Sequence, residues 1–171
     1  MHHSQNQRAF TLIEALITLA IAGILIHSGA PALSAALKRY QLNTFAEQSL
    51  ALIQASRLEA ISRANPVTWC PLNNQNECKT ENAAHLAVFE DSNNNQILDS
   101  GETLIAQAPL ATEQQVAMNG HKDTIRFLAN GRTYQPASVY LCIDGVAKKL
   151  TVSFTGRIYQ LKEETPLNCP D

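Results

Sequence analysis

Five oxygen-bearing side chains lie in one loop at the spacing that can surround a calcium ion. They occupy positions 1, 3, 5, 9 and 12 of the segment DSNNNQILDSGE, and are Asp91, Asn93, Asn95, Asp99 and Glu102. Position 6, where the sharp turn of a calcium loop favours glycine, is Gln96. Asn, Asp, Ser and Gly are also ordinary turn residues. We therefore interpret the segment as a polar connection between strands, with a weak calcium site of the extracellular type as the alternative.

The chain has four cysteines, Cys70, Cys78, Cys142 and Cys169. An even number in an oxidising compartment, which the N-terminal segment described below implies, indicates disulfide bonds. Three pairings are open. We favour Cys70–Cys78, which closes the loop PLNNQNE, with Cys142–Cys169 fixing the C-terminal tail to a strand. Zinc is disfavoured because the chain has no paired C-x-x-C spacing.

A third candidate site is basic and falls in the last predicted hairpin. Its residues are Lys148, Lys149, Gly156, Arg157, Tyr159 and Lys162. Strand alternation places Lys149, Thr151 and Ser153 on one face. A basic face beside an exposed tyrosine can follow a phosphate backbone and stack a base. Composition alone favours the alternative, a solvated sheet face partly neutralised by Glu163 and Glu164.

Charge is divided by segment along the chain. The 13 basic and 15 acidic residues give a net charge of −2, which excludes a globally basic nucleic-acid binder. Residues 67–120 carry a net charge of −6 and residues 121–162 a net charge of +5. The sequence has no G-x-S-x-G, H-E-x-x-H or Gly-rich phosphate loop, so no class of enzyme is supported.

Residues 10–37 form an apolar run of 28 residues whose one formal charge is Glu14. The run is long enough to span a bilayer, and Arg8 before it predicts a cytoplasmic N-terminus and an exported C-terminal part. A carboxylate in the bilayer costs about 2.5–3.5 kcal/mol on insertion scales, so it indicates a cationic partner. A cut between Ala9 and Phe10 would supply one, because the new α-amino group could pair with the Glu14 of a neighbouring copy. The helix would then serve to join neighbouring subunits.

Two simpler interpretations of the apolar run compete with assembly. A secretory signal peptide cleaved near Ala35 would have an apolar region of about 7–15 residues, shorter than this one. An ordinary single-span anchor would not explain Glu14, because a carboxylate in the bilayer is costly without a functional partner.

The elements that position these residues follow from hydrophobic periodicity. Residues 38–65 contain no Gly or Pro before Pro66, and they carry an apolar stripe of Leu42, Phe45, Ala46, Leu50, Ile53 and Ile61. This stripe stops after a few turns, which argues against a coiled coil. Seven short β-rich runs follow, at 67–72, 85–90, 103–107, 124–128, 138–143, 149–154 and 157–161. The predicted fold is α+β: a long N-terminal helix, half membrane-spanning and half amphipathic, packed on an antiparallel β-sheet or small β-sandwich.

The segment RAFTLIE at residues 8–14 resembles the type III leader junction of type IV prepilins and type II secretion pseudopilins. In those families a membrane peptidase cuts before a phenylalanine and methylates it, the acid five residues into the mature chain directs assembly, and a proline lies where Pro31 does. The residue before the cut is usually glycine, and here it is Ala9. The resemblance implies a leader at 1–9, a transmembrane and assembly helix at 10–37, and an exported domain at 38–171.

Three further features resemble the FimT/FimU/GspH family of minor pilins. They are the run R-x-E-A-I-x-R at residues 57–63, the loop D-x-N-x-N…D-x-G-E, and Thr-Gly-Arg before a terminal cysteine. The resemblance implies a non-enzymatic subunit of the inner membrane and then the pilus, with other pilins and the prepilin peptidase as partners. The same resemblance implies that this subunit helps initiate or cap the filament and needs no cofactor. A type II secretion pseudopilin is an alternative. DNA capture in transformation is another, although only Arg157 matches the family's G-R-x-R element.

Overall fold

The computed structural model describes residues 11–119 and 123–160. One helix, α1 (Leu12–Arg63), is followed by eight strands. They are β1 (Val67–Asn73), β2 (Ala83–Phe89), β3 (Leu104–Pro109), β4 (Gln114–Asn119), β5 (Ile125–Phe127), β6 (Ala137–Ile143), β7 (Val146–Val152) and β8 (Ile158–Gln160). The chain divides into two compact units, Met1–Arg39 and Tyr40–Asp171. The predicted residues Ala9, Phe10, Lys162 and Cys169 lie outside the described ranges.

In the first unit, α1 is an apolar helix whose large side chains are all exposed. It begins after Thr11, whose hydroxyl accepts a hydrogen bond from the Glu14 N–H at 3.3 Å and so caps the first turn. Pro31 lies within the helix, and its carbonyl accepts a hydrogen bond from Ser34 Oγ at 2.9 Å. By length and composition, α1 is the one helix among the described residues that could cross a membrane.

In the second unit, α1 buries one face. Leu42, Phe45, Ala46 and Ile53 are buried as the periodicity predicts. The prediction was wrong for Ile61, which is exposed; Ala60 takes its place because it lies seven residues, two turns, after Ile53.

The helix ends at Arg63, two residues before the predicted end. Ala64 adopts φ +51°, and Asn65 precedes Pro66, a position that disfavours helical backbone. Both features turn the chain out of the helix and into β1.

The strands form two antiparallel four-stranded sheets. Sheet 1 has the order β3-β2-β1-β5, and sheet 2 the order β4-β6-β7-β8. The inner faces of both sheets and the buried face of α1 share one hydrophobic core, which includes Trp69, Val88, Leu141 and Leu150. The α+β fold predicted from the sequence is therefore confirmed, with the two sheets of the β-sandwich form of that prediction.

Two features of sheet 2 differ from the prediction. Strand β4 was missed because half of its sequence QQVAMN is polar, and only Val116 is fully buried in it. Strand β7 begins at Val146, earlier than predicted, because Asp144 and Gly145 both take positive φ in a two-residue turn that pairs Ile143 with Val146.

The shared core predicts which leucine-sized side chains of α1 stabilise the second unit. Ile53→Ala removes a side chain that is 0% exposed and should lower the free energy of unfolding by about 2–5 kcal/mol. Leu58→Ala, on the same helix but 66% exposed, should change it by less than about 0.5 kcal/mol. Urea unfolding of the detergent-solubilised protein, followed by tryptophan fluorescence of Trp69, measures both. Equal losses would show that α1 does not pack as described.

Candidate functional site

The first candidate surface is the exposed apolar part of α1 with Glu14 in its first turn. Thr11 and Glu14 have the S/T-x-x-E spacing of a capping box, and the bond from the Glu14 N–H to Thr11 Oγ1 supplies half of it. A carboxylate in the first turn also interacts favourably with the helix dipole. Glu14 therefore lies near the start of a helix whose apolar side chains face outward.

The second candidate surface is the outer face of sheet 2, which turns away from the shared core. Register pairs Tyr140 with Lys149 and Thr151 with Tyr159, so these four side chains share that face. Lys149 Nζ lies 5.4 Å from the Tyr140 ring centre, and Arg157 Cζ lies 5.7 Å from that of Tyr159. Two cations and two aromatic rings are thereby brought together.

Lys148 is separated from this outer face. It follows the same alternation as Leu150 and Val152, which belong to the core side of β7, and it pairs with Leu141. Adjacent lysines in the sequence thus point to opposite faces of one strand. Tyr140 was not predicted as part of the surface, since only the β6–β7 register places it beside Lys149.

Gly156 has a packing role that the sequence did not indicate. It is buried with φ +76°, and a Cβ there would overlap the carbonyl oxygen of Gly131 and lie 2.9 Å from Nε of Arg57. Arg57 Nε donates a hydrogen bond to that same carbonyl at 2.9 Å. The glycine therefore lets the β7–β8 turn approach both α1 and the loop after β5.

The acidic loop 91–102 brings its five predicted residues together. Asp91, 1% exposed, accepts hydrogen bonds from the backbone N–H groups of Asn95 and Gln96. The side-chain amides of Asn93 and Asn95 both donate to Asp99 Oδ2, at 2.9 and 2.8 Å.

Glu102 completes the loop by accepting from the backbone N–H groups of Ser92 and Asp99. The loop is thus closed by its own hydrogen bonds, and Gln96 takes the φ of +66° where glycine would be favoured. Within residues 11–119 and 123–160, no three His, Cys, Asp or Glu side chains are grouped to hold a metal ion. This geometry favours the polar connection, and calcium stays a prediction.

The acidic loop also covers the outer face of sheet 1. The predicted disulfide Cys70–Cys78 is present, and the cystine packs with Leu72 and Phe89 against Leu98 of the loop. The Cys78 N–H donates to Gln96 O at 2.9 Å, which ties the disulfide-closed segment to the acidic loop. Hydrogen bonds from Lys79 and then Asn73 lower the pKa of the nearby Glu77 carboxyl.

The second predicted disulfide is described in part. Cys142 is buried and disulfide-bonded, in a small cluster with Tyr140 and Ala147. Its predicted partner Cys169 lies outside the described residues. The pairing Cys142–Cys169 therefore stays a prediction.

Four residues of the run at 57–63 make structural contacts. Arg57 binds Gly131, Ala60 is buried, and Arg63 pairs with Glu59 at 2.7 Å and with Glu90 at 3.1 Å. Hydrogen bonds to Glu59 and Glu90 raise the pKa of the Arg63 guanidinium. The run thus joins the end of α1 to the loop after β5 and to the residue that follows β2.

A long, outwardly apolar N-terminal helix combined with antiparallel sheets defines a type IV pilin-like protein. The family described as Type II transport protein GspH matches residues 46–156, and the prokaryotic N-terminal methylation motif matches residues 4–29. This chain belongs to the GspH family of minor pilins and pseudopilins, which are structural subunits rather than enzymes.

Solved structures of one type IV minor pilin share the fold, and a further solved structure is more distantly similar. The type IV minor pilin FimU of Pseudomonas aeruginosa, solved in two crystal forms, is 20% identical to this chain with a TM-score of 0.55. The match to one form covers 77% of this chain and 98% of FimU, and the match to the other covers 74% of this chain and 100% of FimU. The minor pseudopilin EpsH of the Vibrio cholerae type 2 secretion system is 13% identical with a TM-score of 0.45, covering 72% of this chain and 95% of EpsH. No curated protein matches this chain.

The contact of Gly156 with Gly131 predicts a substitution effect that separates crowding from backbone strain. Gly145→Ala, with φ +78° and open space around the new Cβ, should cost about 1–2 kcal/mol of unfolding free energy. Gly156→Ala, at nearly the same φ, adds an overlap with backbone and should cost about 1–3 kcal/mol more. Urea unfolding measures the difference. Equal costs would contradict the close approach of Gly156 to Gly131.

Proposed function

We propose that this protein is a minor pilin that enters a type IV pilus through the N-terminal part of α1 and helps initiate or cap its assembly. The observation that carries the proposal is a helix with its apolar side chains exposed and one carboxylate, Glu14, in the first turn. Such a surface needs a bilayer or a bundle of similar helices around it.

The leader and domain organisation belong to the same proposal. Cleavage between Ala9 and Phe10 removes residues 1–9, and methylation of Phe10 follows. Alanine is the smallest replacement for the usual glycine before the cut, so processing is retained. Residues 10–37, including Pro31, form the membrane and assembly helix, and residues 38–171 form the periplasmic domain.

Glu14 is the residue whose loss tests assembly. Its carboxylate would pair with the α-amino group of an adjacent subunit in surroundings where an unpaired charge costs about 2.5–3.5 kcal/mol. We expect Glu14→Ala to reduce incorporation into pili by at least about tenfold, while Glu47→Ala, at an exposed position farther along α1, has no such effect. Immunoblots of sheared pili measure incorporation. Mass spectrometry of the membrane form should show a chain beginning at methylated Phe10.

Several outcomes of this experiment would contradict the proposal. Normal incorporation of Glu14→Ala would remove the assigned role of Glu14, provided that the variant is processed and its second unit resists proteolysis like the wild type. Normal piliation after deletion of the gene, together with loss of protein secretion, would assign the protein to a type II secretion pseudopilus instead.

A second candidate function is capture of DNA on the outer face of sheet 2. The grouping of Lys149, Arg157, Tyr140 and Tyr159 favours it, since cations can contact phosphates while an exposed ring stacks on a base. Tyr159 is partly exposed and available for stacking, whereas Tyr140 is buried beneath Lys149. Lys148 is excluded from this surface by its position on the other face of β7.

The neighbouring lysines supply a matched pair of variants for a DNA test. Lys149→Ala and Arg157→Ala should each weaken DNA binding and lower the slope of log K against log salt by about 1, whereas Lys148→Ala should leave both unchanged. Fluorescence anisotropy with a labelled oligonucleotide, at two salt concentrations, measures this. Absence of binding at low salt, or equal effects of Lys148→Ala and Lys149→Ala, would rule out this surface.

A further inference from the structure

A shallow groove of about 450 Å³ lies between the C-terminal turns of α1 and the start of β8. Its walls come from residues of the helix on one side and of the β7–β8 turn on the other: Gln54, Arg57, Leu58, Ile61, Arg157 and Ile158. The contact of Gly156 with Arg57 and Gly131 fixes the distance between the two walls.

The helical wall carries two exposed aliphatic side chains. Leu58 is 66% exposed and Ile61 is 47% exposed, and the two lie three residues apart on one face of α1. The core stripe of the helix does not need them, since Ile53 and Ala60 already fill that face. Two adjacent exposed aliphatic side chains in a concave site indicate a surface that a partner covers.

The charge of the groove restricts the chemistry of that partner. Arg57 and Arg157 flank Leu58 and Ile61 from opposite walls, and none of the described residues that line the groove is acidic. A complementary partner presents an aliphatic side chain with a carboxylate beside it. A symmetric contact with a second copy is disfavoured, because it would bring the arginines of both copies together.

The limited size of the groove indicates how the partner is held. Specific interfaces that are stable on their own bury about 1,200–2,000 Å², far more than a groove lined by a few side chains can supply. A weak contact becomes effective when a second contact tethers the partner and raises its local concentration. The apolar part of α1 provides such a tether if it packs among similar helices.

We infer that the groove between α1 and β8 is a docking site for a different subunit of the same filament, which inserts an aliphatic side chain flanked by a carboxylate. The inference rests on the proposed assembly function, because the tether is the N-terminal helix. A nucleic acid fits this groove less well, since Leu58 and Ile61 offer no ring on which a base could stack.

Three leucines of the full-length protein provide matched positions for photocrosslinking in living cells. A photoreactive amino acid replaces Leu16 in the apolar helix, Leu58 in the groove, or Leu104 at the edge of sheet 1, all exposed. We expect adducts at Leu16 and Leu58 with another subunit that carries a prepilin-type N-terminal helix, identified by mass spectrometry. The adduct at Leu104 should be at least about fivefold weaker.

The outcomes separate the inference from the function on which it rests. Pilin adducts at Leu16 but none at Leu58 above the Leu104 yield would overturn the groove and leave the assembly function intact. Absence of pilin adducts at Leu16 would overturn the assembly function itself. Adducts of Leu58 with DNA, with a second copy of this chain or with a protein that lacks such a helix would also overturn the inference.

A charge variant tests the chemistry assigned to the partner. Arg157→Glu should lower the Leu58 adduct yield by about two- to fivefold, because it places a carboxylate against that of the partner, while Arg157→Lys should retain most of it. The Leu16 adduct should not change in either variant. Equal Leu58 yields in Arg157→Glu and Arg157→Lys would refute the charge complementarity.

Discussion

The structure depends on one helix that must satisfy two different surroundings. Up to residue 39 the side chains of α1 are exposed and almost entirely apolar, whereas from Leu42 onwards one face is buried in a protein core. None of the large side chains described in this first part is buried, and such a surface is favourable in a bilayer or among similar helices. The second part supplies Phe45 and Ile53 to the core that both sheets share. The proposed assembly surface and the folded core thus lie on separate stretches of the same helix.

Close backbone approach is the second determinant of the surfaces. Arg57 and Gly156 converge on the carbonyl of Gly131, and this contact holds the β7–β8 turn near α1. The same contact sets the groove walls and places Arg157 at the border between the groove and the outer face of sheet 2. A glycine grouped with the DNA-binding candidates in the sequence therefore acts through packing. Its neighbour Arg157 remains available to a partner.

Sheet 1 illustrates how an acidic sequence can serve stability. Every residue of β1 is buried, because α1 and the other core elements cover one face while the disulfide-closed segment and Leu98 of the acidic loop cover the other. Asp91 and Asp99 accept hydrogen bonds from backbone and side-chain amides inside that loop. Part of the segment with net charge −6 therefore stabilises the acidic loop that covers the cystine.

The sequence by itself determined the features that depend on neighbours along the chain. Helical periodicity predicted α1, the Asn65–Pro66 pair predicted its approximate end, and Asp144–Gly145 predicted a hairpin, while the role of Glu14 in assembly stays a prediction. Short spacing also led to Cys70–Cys78. Tertiary structure decided what depends on register and long-range packing: the half-polar strand β4, the opposite faces of Lys148 and Lys149, and the place of Tyr140 beside Lys149. Gly131 and Gly156 lie 25 residues apart in sequence, so only the folded chain could show that the carbonyl of Gly131 leaves no room for a side chain at position 156.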